Sequence, residues 1–283
     1  MKWLFAPVPL GRVAAFRTTV YLFVALDLTV FTPWVRSHAN LPGDLYEPLL
    51  VGRILHLPTP THLLVWAVFW ALIGLALAAA TGRAPRILGW AVFALYAEWM
   101  VIAMSYGKVD HDRVGLLVAL AILPTVGHAR FGDRTLSEAA GWALRVTQIV
   151  AVCTYFLAAW AKLRFGGFGW ATSAVLAQAI IRRGTWLADE IAVIPGLLIV
   201  AQIGIILVEL LSPLIFAVPQ RRRWIGVVFF SSFHLVTFSM ITISFAPHLV
   251  ALTSFLPLER LRPLERLRLR LTHSKAPQPN PTT

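Results

Sequence analysis

Long apolar runs separated by short polar connections dominate the chain. Seven stand out, at about 13–32, 61–81, 86–104, 113–127, 140–163, 191–218 and 224–245. Runs of this kind read as membrane-crossing helices, because about 20 apolar residues at 1.5 Å each are needed to span the hydrocarbon core. An eighth stretch, Pro247 to Pro257, is too short to cross as a helix. It is expected to form a half-helix, a re-entrant turn or the end of a kinked seventh helix. The connection 33–60 carries prolines and Gly43 and reads as a surface loop or short interfacial helix. The segment Gly166 to Gly184, with Trp170 and Trp186 near its ends, fits an amphipathic helix lying in the interface. The pattern predicts an all-α integral membrane bundle of seven to eight transmembrane helices plus an interfacial helix. It forms one domain over 1–257, followed by a basic, amphipathic or disordered tail over 258–283.

Composition agrees. Hydrophobic residues make up 58% of the chain and charged ones 13%, with a mean hydropathy of +0.73. A water-soluble globule could not cover that much apolar surface. Cys153 is alone, which excludes an intramolecular disulfide framework and a CxxC redox pair. Inside its apolar run it is expected to act as a small buried hydrophobe. The apolar segment after Arg12 is longer than a cleavable signal core and lacks a small-residue cleavage site, so it is expected to remain as an anchor.

The net charge of +12 raises the question of nucleic acid. The basic residues fall in connections and in the tail, with no basic stripe interleaved with stacking aromatics, and no nucleic-acid partner is expected. Their distribution speaks instead to orientation. With the N-terminus inside, the short inner connections hold Arg83, Arg86, Arg130, Arg134 and Arg221 to Arg223. Arg36, Arg53, Lys108, Arg164, Arg182 and Arg183 are spread over longer outer ones. This favours a cytoplasmic N-terminus in the plasma or inner membrane. The basic tail from Glu259 also wants the inside, which requires an even number of crossings and conflicts with seven spans.

Several polar residues interrupt the apolar runs. Gln148, Tyr155 and Lys162 recur every seven residues on the fifth run and share one helical face. An ammonium at such depth costs from about 3 to over 10 kcal/mol unless water or a partner reaches it. Burial disfavours an ammonium relative to the free amine, so the residue type suits a base. The same position also suits a lysine snorkelling to the headgroups. Tyr106, Lys108, Asp110, His111 and Asp112 cluster between the third and fourth runs; His111 opens the fourth. Adjacent residues seldom ligate one ion and no HxxxH spacing follows, so no metal is expected. His234, flanked by Ser231 and Thr237 on its helical face, is either a packing residue or a pocket group. Glu98 and Glu209, with Arg17, Asp27 and Arg145, complete a set of buried ionisable groups that implies a polar interior cavity.

These residues together resemble the horizontally transferred transmembrane (HTTM) family, which includes the membrane domain of vitamin K-dependent gamma-carboxylase. The match is sharpest at Tyr155-Phe156-Leu157-Ala158-Ala159-Trp160-Ala161-Lys162-Leu163 with Trp170 downstream. It is similar to the family's Tyr-Phe-x-Ala-Gly-x-x-Lys-Leu segment, with Ala159 where the glycine usually stands. Phe233-His234-Leu235, His111 and the early Arg17 fit as well, and the order covers roughly 10 to 257. The resemblance implies that Lys162 is the base that deprotonates a reduced quinone of the vitamin K or menaquinone type. His111 and His234 are implied as polar supports of the same pocket; with the polar residues read above, Tyr155, Glu98, Glu209 and Arg17 complete the expected supporting set.

The leading expectation is a quinol-linked, carboxylase-like or oxidoreductase-like membrane enzyme. Its partners are the lipid bilayer and a peptide or protein substrate, or a separate soluble subunit. The alternative is a non-enzymatic membrane partner in peptide maturation, export or immunity. A small-solute transporter ranks last, because no repeat with broken helices in both halves is seen.

Overall fold

The computed structural model describes residues 2–260, so the tail predicted over 258–283 lies outside the described residues from 261 onward. The architecture is all-helical apart from one short antiparallel pairing. In that pairing β1 (Val8–Pro9) meets β2 (Leu136–Ser137), with Val8 opposite Ser137. It fastens the start of the chain to the connection before the longest helix.

In chain order the helices are α1 (Leu10–Leu26), α2 (Leu50–Ile54), α3 (His62–Ala80), α4 (Pro85–Met104) and α5 (Val114–Val126). There follow α6 (Glu138–Gly166), α7 (Val175–Arg183), α8 (Trp186–Ala192), α9 (Leu197–Leu210), α10 (Arg223–Ile241) and α11 (Ala246–Leu252). Five helical stretches are long and apolar enough to cross a membrane: Leu10–Phe31, His62–Ala80, Pro85–Met104, Glu138–Gly166 and Gln220–Ile241. The pair α8 and α9 makes a sixth if its 109° bend lies within one span. All seven apolar runs are therefore helical, but two depart from simple crossings. α5 has 13 residues, about 20 Å at 1.5 Å per residue, short of the roughly 30 Å hydrocarbon core. The run at 191–218 bends at Gly196 (φ +76°) and closes in a 3-10 turn, Ser212–Phe216.

Local signals explain the ends. Thr61 accepts a hydrogen bond from the Leu64 N–H and Ser137 one from Ala140, capping α3 and α6. Gly167, at φ +60°, stops α6. α1 widens at its end into a π turn, Asp27–Phe31, which turns the Asp27 carboxylate into the bundle. π turns of this kind recur where a helix serves a polar site.

The main core is built from α1, α3, α4 and α5, around Phe16, Val20, Leu72, Tyr96, Trp99 and Leu120. At the closest approach, a Cβ on Gly89 would lie 2.7 Å from both Pro124 Cγ and Tyr21 Oη, so only glycine lets α4 meet α5 and α1 there. A second, smaller core joins α6 to α10 and α11 through Val152, Tyr155, Phe230 and Leu252. The eighth apolar stretch is α11 followed by the turn Thr253–Phe255, packed on α5, α6 and α1. It starts beside His111, whose ring lies 6.5 Å from Phe245, and reaches Glu259, which is paired with Arg12 at the start of α1. The segment 166–184 holds a 3-10 turn and the nine-residue α7. Cys153 corrects its expectation: it is exposed, because α6 turns that face away from the neighbouring helices.

Candidate functional site

α6 runs unbroken for 29 residues, which keeps its seven-residue polar spacing on one side. Along that side Gln148 Nε2 donates to the Ser254 carbonyl at 2.8 Å, tying α6 to the turn after α11. One step on, the Tyr155 hydroxyl lies 2.6 Å from His234 Nε2 on α10. One step further, Lys162 Nζ donates to both oxygens of Glu209 on α9, at 2.7 and 2.6 Å. The ammonium also stands 5.4 Å from the centre of the Trp170 ring, within cation–π range. The lysine head is thus paired inside the protein.

α9 positions Glu209 and also shapes the roof. Gln202, seven residues earlier on the same face, donates through Nε2 to the carbonyls of Trp170, Ala171 and Ser173. Its Oε1 accepts from the Leu176 N–H at 2.8 Å. A single buried amide therefore holds the 170–176 segment in place and with it Trp170. On the opposite wall, His248 of α11 meets the Tyr155 ring edge-on at 4.5 Å, and Phe245 lies 4.5 Å from the His234 ring.

Between these walls is a mostly apolar cavity of about 240 Å³. A dry cavity of roughly 150 Å³ holds benzene, so this one has room for a somewhat larger ligand. His111, Tyr155, Lys162, Glu209, His234 and His248 supply its polar margin. His234 Nδ1 and both ring nitrogens of His248 are buried without a hydrogen-bond partner in the protein. Buried polar nitrogens left open beside a cavity are suited to a ligand's oxygen atoms.

A charged cluster adjoins the cavity. Arg113 Nη2 lies 3.2 Å from Asp27 Oδ1, and its Nη1 lies 3.2 Å from Asp112 and 3.4 Å from Asp110. Tyr96 donates to the other Asp27 oxygen at 2.9 Å, and Lys108 pairs with Asp110 at 2.9 Å. Asp112 is the member that also lines the cavity. Burial pushes its carboxyl above the usual range, against the opposing pull of Arg113. Among the described residues no group of three His, Cys, Asp or Glu side chains is disposed to hold a metal ion.

Of the residues singled out from the sequence, Lys162, Tyr155, His111, His234 and Glu209 come together. Two do not, and both expectations are corrected. Glu98 does not line the cavity: α4 packs on α3, on α5 and on the 3-10 turn Pro33–Asn40, and Glu98 Oε1 is buried there without a hydrogen-bond partner. Arg17 donates to the carbonyls of Gly127 and Ala129, both at 2.8 Å, in the connection after α5. His248 escaped the sequence reading, although a histidine inside the short eighth stretch was the available signal. The roof role of Gln202 had a weaker one, its seven-residue spacing to Glu209.

Comparison of the chain with protein-family models, with curated proteins and with solved structures gives no match.

Proposed function

We propose that this chain is a multi-pass membrane protein of the HTTM kind whose α6–α9–α10–α11 cavity binds a reduced quinone, with Lys162 as its base. The carrying observation is the Lys162–Glu209 pair opening onto an apolar, ring-sized cavity bordered by histidine nitrogens with no protein partner. His234 and His248 are the groups placed to hold ring oxygens, and Tyr155 fixes the tilt of His234 through its hydroxyl. The apolar lining excludes water, which strengthens every charge interaction inside. The bound hydroquinone supplies reducing equivalents and, with molecular oxygen, the strong base that carboxylases of this kind use.

A base role requires Nζ to be the free amine when the quinol hydroxyl gives up its proton. With an amine at Lys162 and a carboxylate at Glu209, the pair carries one negative charge in an apolar setting. Proton uptake at Lys162 Nζ turns it into a neutral ammonium–carboxylate couple with two short hydrogen bonds. Glu209 is placed to hold the ammonium once Nζ has taken a proton.

The proposed topology has a cytoplasmic N-terminus and eight passes, in the plasma or inner membrane. The inner connections carry Arg83, Arg86, Arg130 and Arg134. Two of the passes are short and buried by the others: α5 and the stretch from α11 to Glu259. Irregular backbone at membrane depth is tolerated where protein covers it. The Arg12–Glu259 contact puts residue 259 beside the start of α1, which supports an even count of crossings.

The test is purified protein in nanodiscs given menaquinol under air and under argon, with hydroquinone consumption followed by chromatography. Wild type is expected to consume it only with oxygen and at least about 100-fold faster than Lys162→Ala, the scale of a general base. Lys162→Arg should not rescue, since guanidinium stays charged. Equal rates in wild type and Lys162→Arg would make the lysine a charge anchor and end the base assignment.

A further inference from the structure

At the end of α5 away from the Lys162 cavity lies a second, polar cavity of about 440 Å³. It opens where α1, the α3–α4 turn and the connection after α5 meet, and Arg17, Thr18, Arg83, Ala84, His128 and Arg130 help line it. We propose that it is a binding site for a phosphate group, a role separate from the quinol reading.

The first observation is an uncompensated buried cation. Arg17 is 1% exposed. Two of its nitrogens are spent on the Gly127 and Ala129 carbonyls, while Nε is buried with no partner. Among the described residues no carboxylate lies within ion-pair distance of Arg17, Arg83, Arg86 or Arg130. The acid next to Arg130 is Asp133, whose carboxylate accepts from the Thr135 N–H. Carbonyl dipoles satisfy donors but leave a full positive charge, and buried charge is costly unless an opposite charge meets it.

The second observation is a helix start aimed at the same place. α4 is 20 residues long and begins at Pro85; the residue before it, Ala84 (φ +39°), lines the cavity and gives no side-chain cap. Pro85 at the first helical position has no N–H, so the backbone donors of the first turn are those of Arg86 and Ile87, at the positive end of the dipole. The turn before it reaches the guanidinium closely: a Cβ on Gly82 (φ +77°) would sit 3.2 Å from Arg17 Nη2. A buried guanidinium with its Nε unspent, two further arginines and a helix N-terminus form a donor set that matches a tetrahedral phosphate oxyanion. Phe131, 57% exposed at the rim, gives the cavity an apolar edge suited to an acyl chain. The headgroup of an anionic phospholipid and free phosphate share this chemistry.

The experiment uses the full chain in phosphatidylcholine nanodiscs, with phosphatidylglycerol added to the bilayer or inorganic phosphate added to the buffer. Native mass spectrometry reads lipid retention, and thermal unfolding reads stabilisation. Saturable phosphatidylglycerol binding is expected, weakened about tenfold in the double variant Arg83→Gln/Arg130→Gln and weakened further by added sodium chloride. Stabilisation by inorganic phosphate alone, lost in the same variant, would assign the site to free phosphate. The double variant leaves the Arg17 carbonyl contacts intact, so it separates binding from folding; Arg17→Lys then tests the guanidinium by keeping charge without the unspent Nε. If the double variant matches wild type with both probes, the proposal falls.

Discussion

Two of the ion-paired sites inside this bundle, Asp27–Arg113 and Lys162–Glu209, have different surroundings. Asp27–Arg113 sits against the closed half made by α1 to α5, with side-chain exposures of 0% and 8%. Both Asp27 oxygens are engaged, by Arg113 and by Tyr96, and further carboxylates flank the arginine. Lys162–Glu209 sits in the looser half made by α6, α9 and α10, at 22% and 10%, with one flank on a cavity. The same device, a charge neutralised inside apolar helices, serves two ends. Where both carboxylate oxygens are engaged, it locks helices together. Where one side is left open, the charge remains available to a ligand.

Arg113→Ala tests the locking role and carries the largest expected effect. It strands Asp27 in the core, and loss of one partner of a buried pair costs about 3–5 kcal/mol. Denaturant titration of the purified protein should show that loss, whereas Lys162→Ala should remain folded. If Lys162→Ala collapsed the protein while Arg113→Ala did not, the contrast between the two halves would be reversed. Tyr155→Phe sharpens the comparison on the cavity side. It removes one hydrogen bond to His234 at nearly constant volume, an expected cost of about 1 kcal/mol, and it should weaken quinol binding more than it lowers the melting temperature.

The smallest expected effect lies at the other end of the bundle, where Arg12 donates to both oxygens of Glu259. Burial raises the Glu259 carboxyl, but the Arg12 hydrogen bonds outweigh it, and the net position is below the ordinary 4.5. Its contribution is therefore full above that value and disappears as the pH falls through the lower folded value. Because the pair is partly exposed, the loss should be at most about 1 kcal/mol. A melting-temperature profile on the acid side, flattened in Glu259→Gln, checks it.

Much of the cavity was legible in one dimension because a straight helix converts spacing into a face. Gln148, Tyr155 and Lys162 needed only the seven-residue step and an unbroken α6 to align. Glu209 and His234 were conspicuous because polar atoms in apolar runs need a reason. Glu98 and Arg17 carried the same signal and lie elsewhere, since a buried ionisable residue announces a partner without saying which. His248 was hidden in a stretch whose form the pattern left open between a half-helix, a re-entrant turn and the end of a kinked seventh helix.

The sequence by itself determined the class of molecule: apolar runs of membrane length, basic connections, and charges that had to find internal partners. Those follow from transfer energies, which act residue by residue. The tertiary structure alone decided which acid meets Lys162, that α5 and α11 are short and sheltered, and that Gln202 roofs the cavity. Such choices depend on how helices from distant parts of the chain cross. A hydrogen bond of 2.6 Å between residues 47 apart is fixed by packing, which no local pattern encodes.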